Sequence, residues 1–117
     1  MLSPVKLAMA CAQFAAAPAD VPYNLAKVDA LAREAAGRGA KVVVFPELCL
    51  SGYLPAGEVE RFAMDRDGPE LSRVAATARA ARIAVAVGFA ERGREGRLHN
   101  SVAVLDPEGK LAAVRHK

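Results

Sequence analysis

The sequence predicts a layered α/β domain in which two helices pack on a mostly parallel sheet with an antiparallel edge. Short apolar runs fit buried strands, two longer segments between them show apolar residues at helical spacing, and the C-terminal part fits a hairpin. The order strand, helix, strand, helix, strand and hairpin is typical of such a fold. With 117 residues, 53% of them hydrophobic and 25% charged, the chain fits one globular domain or part of one.

The first strand and the first helix follow from local pattern. Residues 5–14 are short and nearly all apolar, which predicts a strand buried on both faces. Asp20 offers an N-cap for the helix that follows, Pro22 is acceptable in its first turn, and Gly37 and Gly39 can end it. The apolar residues of this amphipathic helix are Leu25, Val28, Leu31, Ala32 and Ala35.

The middle of the chain alternates again between strand and helix. A second strand is expected at 41–45, stopped by Pro46, which cannot donate to a ladder. Residues 48–67 are irregular and predict a loop with one short helix, long enough to carry function. A second amphipathic helix opens at 67–70. Its inner residues are Leu71, Val74, Ala75, Ala78 and Ala81.

The C-terminal third predicts strands and turns only. A third buried strand is expected at 83–89 and a glycine-containing turn at 93–96. Residues 101–105 and 110–114 then form a hairpin around a type I turn at 106–109. This hairpin supplies the antiparallel edge of the sheet.

Composition excludes several classes of partner. The net charge of +3 is scattered and aromatic residues are few, so nucleic acid is not expected to bind. No apolar run reaches the roughly 18 residues of a spanning helix, so no membrane role is expected. Cys11 and Cys49 are too few for a disulfide-stapled secreted scaffold and are expected as buried free thiols of a cytoplasmic protein. The apolar stretch before Cys11 is too short for a lipoprotein signal, and a buried strand is favoured.

Glu47 is the candidate catalytic residue that position alone suggests. Ligand sites in open α/β sheets lie beyond the carboxyl ends of the strands, and Glu47 comes directly after the second strand. A partly dry pocket would raise the pKa of its carboxyl toward neutrality, as a general base requires. A solvated turn residue is the alternative at this position.

The residues around Glu47 extend this argument. Segment 45–53, FPELCLSGY, resembles the glutamate-bearing signature of the nitrilase superfamily of carbon–nitrogen hydrolases. Companion residues of that pattern follow in order: Gln13, Asp20, Asn24, Gly39–Ala40, Gly88–Glu91, Leu98–Ser101, Pro107–Gly109 and Arg115–Lys117. The resemblance implies the N-terminal part of an α-β-β-α sandwich, with residues 1–117 forming a partial carbon–nitrogen hydrolase domain whose C-terminal half is absent.

The same resemblance implies a thiol hydrolase. Glu47 is then the general base, and Lys117 stabilises the tetrahedral intermediate. The nucleophilic cysteine of the family lies well downstream of that lysine, so neither Cys11 nor Cys49 is expected to serve and the chain as given is expected to be inactive. No metal or organic cofactor is implied. The pattern is closest in look to the amidase type, which implies a small amide substrate and a homo-oligomeric parent protein.

Other polar residues have simpler expectations. His99 looks the more exposed of the two histidines and His116 an ordinary strand-end residue, with no metal ligands clustered near them. Tyr53 is expected to shape the entrance of the site or to pack its loop. Glu91, which follows a strand as Glu47 does, is expected to make a polar contact that organises the loops.

Two other classes of function stay open. The same half-fold could be a non-catalytic pseudoenzyme or an interaction module that pairs with another chain. A nucleotide-binding α/β module is disfavoured, because no glycine-rich fingerprint lies between a strand and a helix.

Overall fold

The computed structural model describes residues 3–117, which form one five-stranded sheet and two α-helices. The strands, adjacent in chain order, are β1 (Met9–Cys11), β2 (Val42–Val44), β3 (Ala84–Arg92), β4 (Leu98–Leu105) and β5 (Leu111–His116). The helices are α1 (Val21–Gly37), between β1 and β2, and α2 (Pro69–Ala81), between β2 and β3. Short 3₁₀ helices occupy Val59–Phe62 and Arg94–Gly96. The predicted α/β class, both helices and the hairpin are confirmed.

Sheet topology places both helices on one face. The pairs β1–β2 and β2–β3 are parallel, whereas β3–β4 and β4–β5 are antiparallel. Parallel crossovers are right-handed, so two successive ones laid in the same direction put their helices on the same side. Thr77 Oγ1 of α2 accordingly donates to Asp29 Oδ1 of α1 at 2.8 Å. The opposite face, called here the open face, carries the side chains of Val44, Ala86, Asn100 and Val102. Gly88 occupies a position on the same face.

The core lies between the helices and the sheet. Val43, Val85, Val87 and Phe89 are fully buried and point toward the helices, alternating with the residues of the open face. The predicted inner residues of the helices meet them there: Leu25, Val28, Ala32, Ala35, Leu71, Val74 and Ala78 are buried, and Leu31, Ala75 and Ala81 pack against them partly exposed. The helical spacing therefore identified the core-facing residues.

The first strand differs from its prediction. Only Met9–Cys11 pairs in the sheet, and β1 is an edge strand. Val5 and Leu7 are exposed, Met9 is 59% exposed, and Cys11 is exposed rather than buried. A run of apolar residues does not show whether a strand lies at the edge or in the middle of a sheet. Among residues 3–117, β1 has one neighbouring strand and helical cover on one face only, so the predictions of a strand buried on both faces and of a buried Cys11 were wrong.

The hairpin is longer than predicted. β4 begins at Leu98, which pairs with Arg92, and β5 runs on to His116. The Asp106 carboxylate accepts from the backbone N–H groups of Glu108 at 2.9 Å and Lys110 at 3.0 Å, which fixes the turn. A β-bulge interrupts the β4–β5 ladder beside the turn. The extra residues carry the chain back to the far end of β4.

Among residues 3–117, no helix combines the length and the apolar character that crossing a membrane requires.

Candidate active site

Glu47 reaches the open face because the chain crosses β3 at a glycine. After β2, Phe45 N–H still donates to Ala86 carbonyl oxygen at 2.9 Å, and then residues 46–48 pass over Gly88. A Cβ at Gly88 would lie 2.6 Å from Leu48 N and 3.0 Å from the Glu47 Cα. Real side chains do not approach so closely, so only glycine leaves room for this crossing. The crossing directs the Glu47 carboxylate toward the ends of β4 and β5.

Three donors converge on the Glu47 carboxylate. Lys117 Nζ and Asn100 Nδ2 each donate to Oε1 at 2.8 Å, and the Tyr53 hydroxyl donates to Oε2 at 2.8 Å. Glu47 and Lys117 are 70 positions apart in sequence, yet their charged groups touch. The backbone N–H of Lys117 also donates to Asn100 carbonyl oxygen at 2.9 Å, which places the lysine beside that asparagine. The structure thus brings both predicted site residues together.

The electrostatics of this cluster differ from expectation. The hydrogen bond from Lys117, followed by those from Tyr53 and Asn100, lowers the pKa of Glu47 from 4.5 to about 2. Its carboxylate in turn raises the pKa values of Lys117 and of Tyr53. A partly dry pocket was expected to raise the pKa of Glu47, but the side chain keeps 35% exposure, so that condition is not met, and three donors outweigh the loss of water. The pair is therefore held as carboxylate and ammonium.

A buried asparagine braces the loop that bears Glu47. Asn24 on α1 is fully buried, and its amide donates to the carbonyl oxygens of Ala17 at 2.9 Å and Leu50 at 3.1 Å. Asp20 caps α1 as predicted, by accepting from Tyr23 N–H at 3.1 Å. Of these two motif residues, Asn24 thus holds loops in place and Asp20 caps a helix, and neither lines the cluster around Glu47.

Neither cysteine joins the cluster. Cys49 is fully buried as predicted, and its Sγ donates to Gly88 carbonyl oxygen at 3.6 Å. Burial raises the pKa of this thiol to about 11, which keeps it protonated and unreactive. Cys11 lies on the edge strand β1, and β2 separates it from β3, the strand that the segment bearing Glu47 crosses.

Sequence reasoning missed part of the cluster. Asn100 was noticed only as one letter of a pattern, and its two contacts with the site depend on the β4–β5 register, which no local signal gives. Tyr53 was expected near the entrance and contacts Glu47 directly. The histidine expectation was reversed, since His99 is half-buried and His116 exposed. Across residues 3–117, no three His, Cys, Asp or Glu side chains are grouped to hold a metal ion.

Comparisons with known sequences show which family the chain belongs to. The family model for carbon–nitrogen hydrolases matches residues 8–117. A protein of Pseudomonas protegens described as the hydrolase in the pqqF 5′ region is 38% identical over 94 residues, which are 80% of this chain and 32% of that protein. An omega-amidase of Danio rerio is 33% identical over 94 residues, again 80% of this chain and 34% of the relative. The chain thus spans about a third of the length of these curated relatives.

Solved structures show the same fold. An amidase from Nesterenkonia sp. superimposes with a TM-score of 0.84 at 27% identity, over 95% of this chain and 42% of the amidase. A glutamate-to-glutamine variant of that enzyme shows the product of Michael addition of acrylamide at its active-site cysteine. The chain belongs to the carbon–nitrogen hydrolase family, and its sheet and helices match the N-terminal portion of the amidase fold.

Proposed function

We propose that residues 1–117 supply the general base and the electrostatic stabiliser of a carbon–nitrogen hydrolase that cleaves small amides. The observation that carries the proposal is the 2.8 Å contact between the Glu47 carboxylate and the Lys117 ammonium on the open face. A proton acceptor and a fixed positive charge within one hydrogen bond of each other are what acyl transfer requires beside its nucleophile. The nucleophilic thiol comes from outside these residues, since Cys49 is buried and protonated and Cys11 lies on the edge strand β1, separated from β3 by β2.

The reaction proceeds in two halves. The thiol gives its proton to Glu47 as the sulfur attacks the amide carbon, and the carbonyl oxygen becomes an oxyanion beside the Lys117 ammonium. The C–N bond then breaks, and the leaving nitrogen takes the proton from Glu47 and departs as ammonia, which leaves a thioester. In the second half, water gives a proton to Glu47 and attacks the thioester. The sulfur leaves, recovers the proton, and the carboxylic acid is released.

Lys117 both stabilises the oxyanion and controls the basicity of Glu47. With Lys117 bound to it, Glu47 has a pKa of about 2 and is a weak base. A developing oxyanion competes for the same ammonium and weakens its bond to Glu47. The pKa of the carboxyl then rises while it must accept a proton, so charge stabilisation and basicity increase together.

Amides are proposed as substrates on the likeness to two amide-acting enzymes. The Danio rerio relative is an omega-amidase, and the Nesterenkonia enzyme is an amidase whose active-site cysteine adds to acrylamide. That adduct also supports a thiol nucleophile for the complete site of this family member.

The test uses the complete product of the open reading frame that encodes this chain. Ammonia release from short aliphatic amides such as acetamide and propionamide is measured for wild type and Glu47→Gln. Loss of a general base lowers turnover by about 10²- to 10⁴-fold. Glu34→Gln, which alters an exposed glutamate of α1 that pairs with Arg38, is the matched control and keeps full activity. Undiminished ammonia release by Glu47→Gln would overturn the proposal.

A second measurement tests where the thiol lies. The 117-residue chain alone should release no ammonia from the same amides. Hydrolysis by this chain that disappears on Cys11→Ser or Cys49→Ser would place the nucleophile inside it, contrary to the proposal.

A further inference from the structure

Glu91 is a buried carboxylate that the proposed reaction does not use. It lies near the end of β3, on the face that carries the helices, and is 1% exposed. Its Oε1 accepts from Ser101 Oγ at 2.8 Å and from His116 Nε2 at 3.0 Å, and its Oε2 accepts from Arg66 Nε at 2.6 Å. A carboxylate removed from water needs such donors to stay ionised. Both carboxylate oxygens of Glu91 therefore have hydrogen-bond donors, and Glu91 lies at the centre of a polar network.

This network lies back to back with the candidate active site. Successive residues of a strand point to opposite faces of the sheet, so one short segment can serve both faces. At the paired ends of β4 and β5, the Glu47 carboxylate lies on the open face and the Glu91 carboxylate on the face that carries the helices. They bind neighbouring residues: Asn100 and Lys117 for Glu47, Ser101 and His116 for Glu91.

The bond from Glu91 to His116 ties β5 to the middle of the sheet. Among residues 3–117, β5 pairs only with β4, and the bond spans β4 to reach β3. The His116 ring also stacks on that of His99, with centroids 3.8 Å apart and planes at 7°. His99 in turn packs against Gly93, where a Cβ would lie 2.7 Å from its ring. The imidazole of His116 is thus fixed from two sides.

The bond between Glu91 and His116 matters most for the position of Lys117. Its long side chain is 75% exposed, so little besides the Glu47 contact and its backbone position holds the ammonium in place. The residue directly before it is the one that Glu91 binds. A displaced end of β5 would move Lys117 relative to Glu47, and small displacements of a catalytic charge cost much activity.

We propose that Glu91 is a positioning residue for Lys117, acting through His116 to fix the end of β5 and hence the ammonium beside Glu47. The inference rests on the proposed function, because it assigns Glu91 a task only if Lys117 stabilises an oxyanion. Glu91 itself touches no reacting atom, since the sheet lies between it and the open face.

The test compares two variants of His116 in the complete protein. Glutamine can present an amide N–H to Glu91 from a similar distance, whereas leucine has a similar size and no donor. His116→Leu should lower kcat for amide hydrolysis by about 10- to 100-fold with KM within about twofold, because the lost contribution acts on charge in the transition state. His116→Gln should restore most of kcat. His116→Asn, whose amide is too short to reach, is a second variant expected to behave like leucine.

Matched controls separate the possible failures. His99→Leu and His99→Gln alter the other ring of the stack, which makes no bond to Glu91, so their kcat values should equal each other. Equal kcat values for His116→Leu and His116→Gln would overturn the positioning role, while loss of activity in Glu47→Gln would leave the proposed function standing. Full activity of Glu47→Gln would instead remove the proposed function and this inference with it.

Discussion

Gly88 and Glu47 lie in direct backbone contact, with the missing side chain of one making room for the main chain of the other. A Cβ at Gly88 would stand 3.0 Å from the Glu47 Cα and 2.7 Å from Pro46 carbonyl oxygen. The main chain can therefore leave β2 and cross β3 within a few residues. The Glu47 carboxylate then meets donors from β4 and from the end of β5. A single glycine thus allows Glu47 to reach Asn100 on β4 and Lys117 at the end of β5.

Gly88→Ala should displace the loop that bears Glu47. The added methyl meets backbone atoms of residues 46–48, which cannot rotate away as a flexible side chain would. We expect a loss of about 1–3 kcal/mol in the free energy of unfolding and a larger proportional loss of amide hydrolysis. Urea unfolding and ammonia release from the complete protein measure the two effects.

Gly37→Ala provides the control for that substitution. Gly37 ends α1, and nothing lies within 4 Å of the Cβ it would gain. Alanine there should raise the free energy of unfolding by about 0.5 kcal/mol and leave activity unchanged. Equal behaviour of Gly88→Ala and Gly37→Ala would contradict the close approach at Gly88.

Tyr53→Phe should raise the pKa of Glu47 without breaking its contact with Lys117. The lost hydroxyl is one of three donors to the carboxylate, so the anion becomes less favoured and the pKa moves up from about 2. Carboxyl ¹³C resonances, titrated between about pH 3 and 6 and assigned with Glu47→Gln, report the change. In wild type the Glu47 signal stays at its ionised position, and in Tyr53→Phe it starts to move at the acid end. Tyr23→Phe, at an exposed tyrosine of α1, should leave the signal alone.

The two thiols should differ sharply in reactivity. Cys11 is exposed, whereas burial raises the pKa of Cys49 to about 11 and shields its sulfur. Iodoacetamide at about pH 8 should alkylate Cys11 first and Cys49 only after denaturant is added, as peptide mass spectrometry would show. Rapid labelling of Cys49 in the folded protein would mean that the loop after Glu47 opens readily.

Acid should destabilise the protein partly through Glu47. Its pKa falls from 4.5 to about 2 on folding, so the folded state favours the carboxylate. That contribution is complete above pH 4.5 and disappears as the pH falls toward about 2, because protons then bind the unfolded chain more tightly. Urea midpoints measured down this range should decrease less steeply for Glu47→Gln than for wild type. Parallel slopes for the two proteins would show that Glu47 is not held as an anion.

Local pattern predicted the helices and their core faces well, because helical spacing reports directly on which side is buried. It also placed Glu47 at the end of a strand. It failed for β1, because an apolar run does not tell an edge strand from a central one. It could not find the contacts of Asn100, which depend on the β4–β5 register, or the network of Glu91, which depends on the β3–β4 register as well. The lowered pKa of Glu47 could not be predicted from local pattern either, because two of its three donors, Asn100 and Lys117, come from distant positions.

The alternation at the end of β5 makes the hairpin sensitive to parity. His116 faces the helices and Lys117 the open face, rather than the reverse, because of the number of residues between the turn and the strand end, bulge included. One residue inserted into or deleted from β5 would exchange their faces, sending the lysine toward Glu91 and the histidine toward Glu47. Two residues would restore the orientation but shift both along the strand. An odd length change in this hairpin therefore moves Lys117 to the wrong face of the sheet, whereas an even change keeps it on the open face but displaces it along the strand from Glu47.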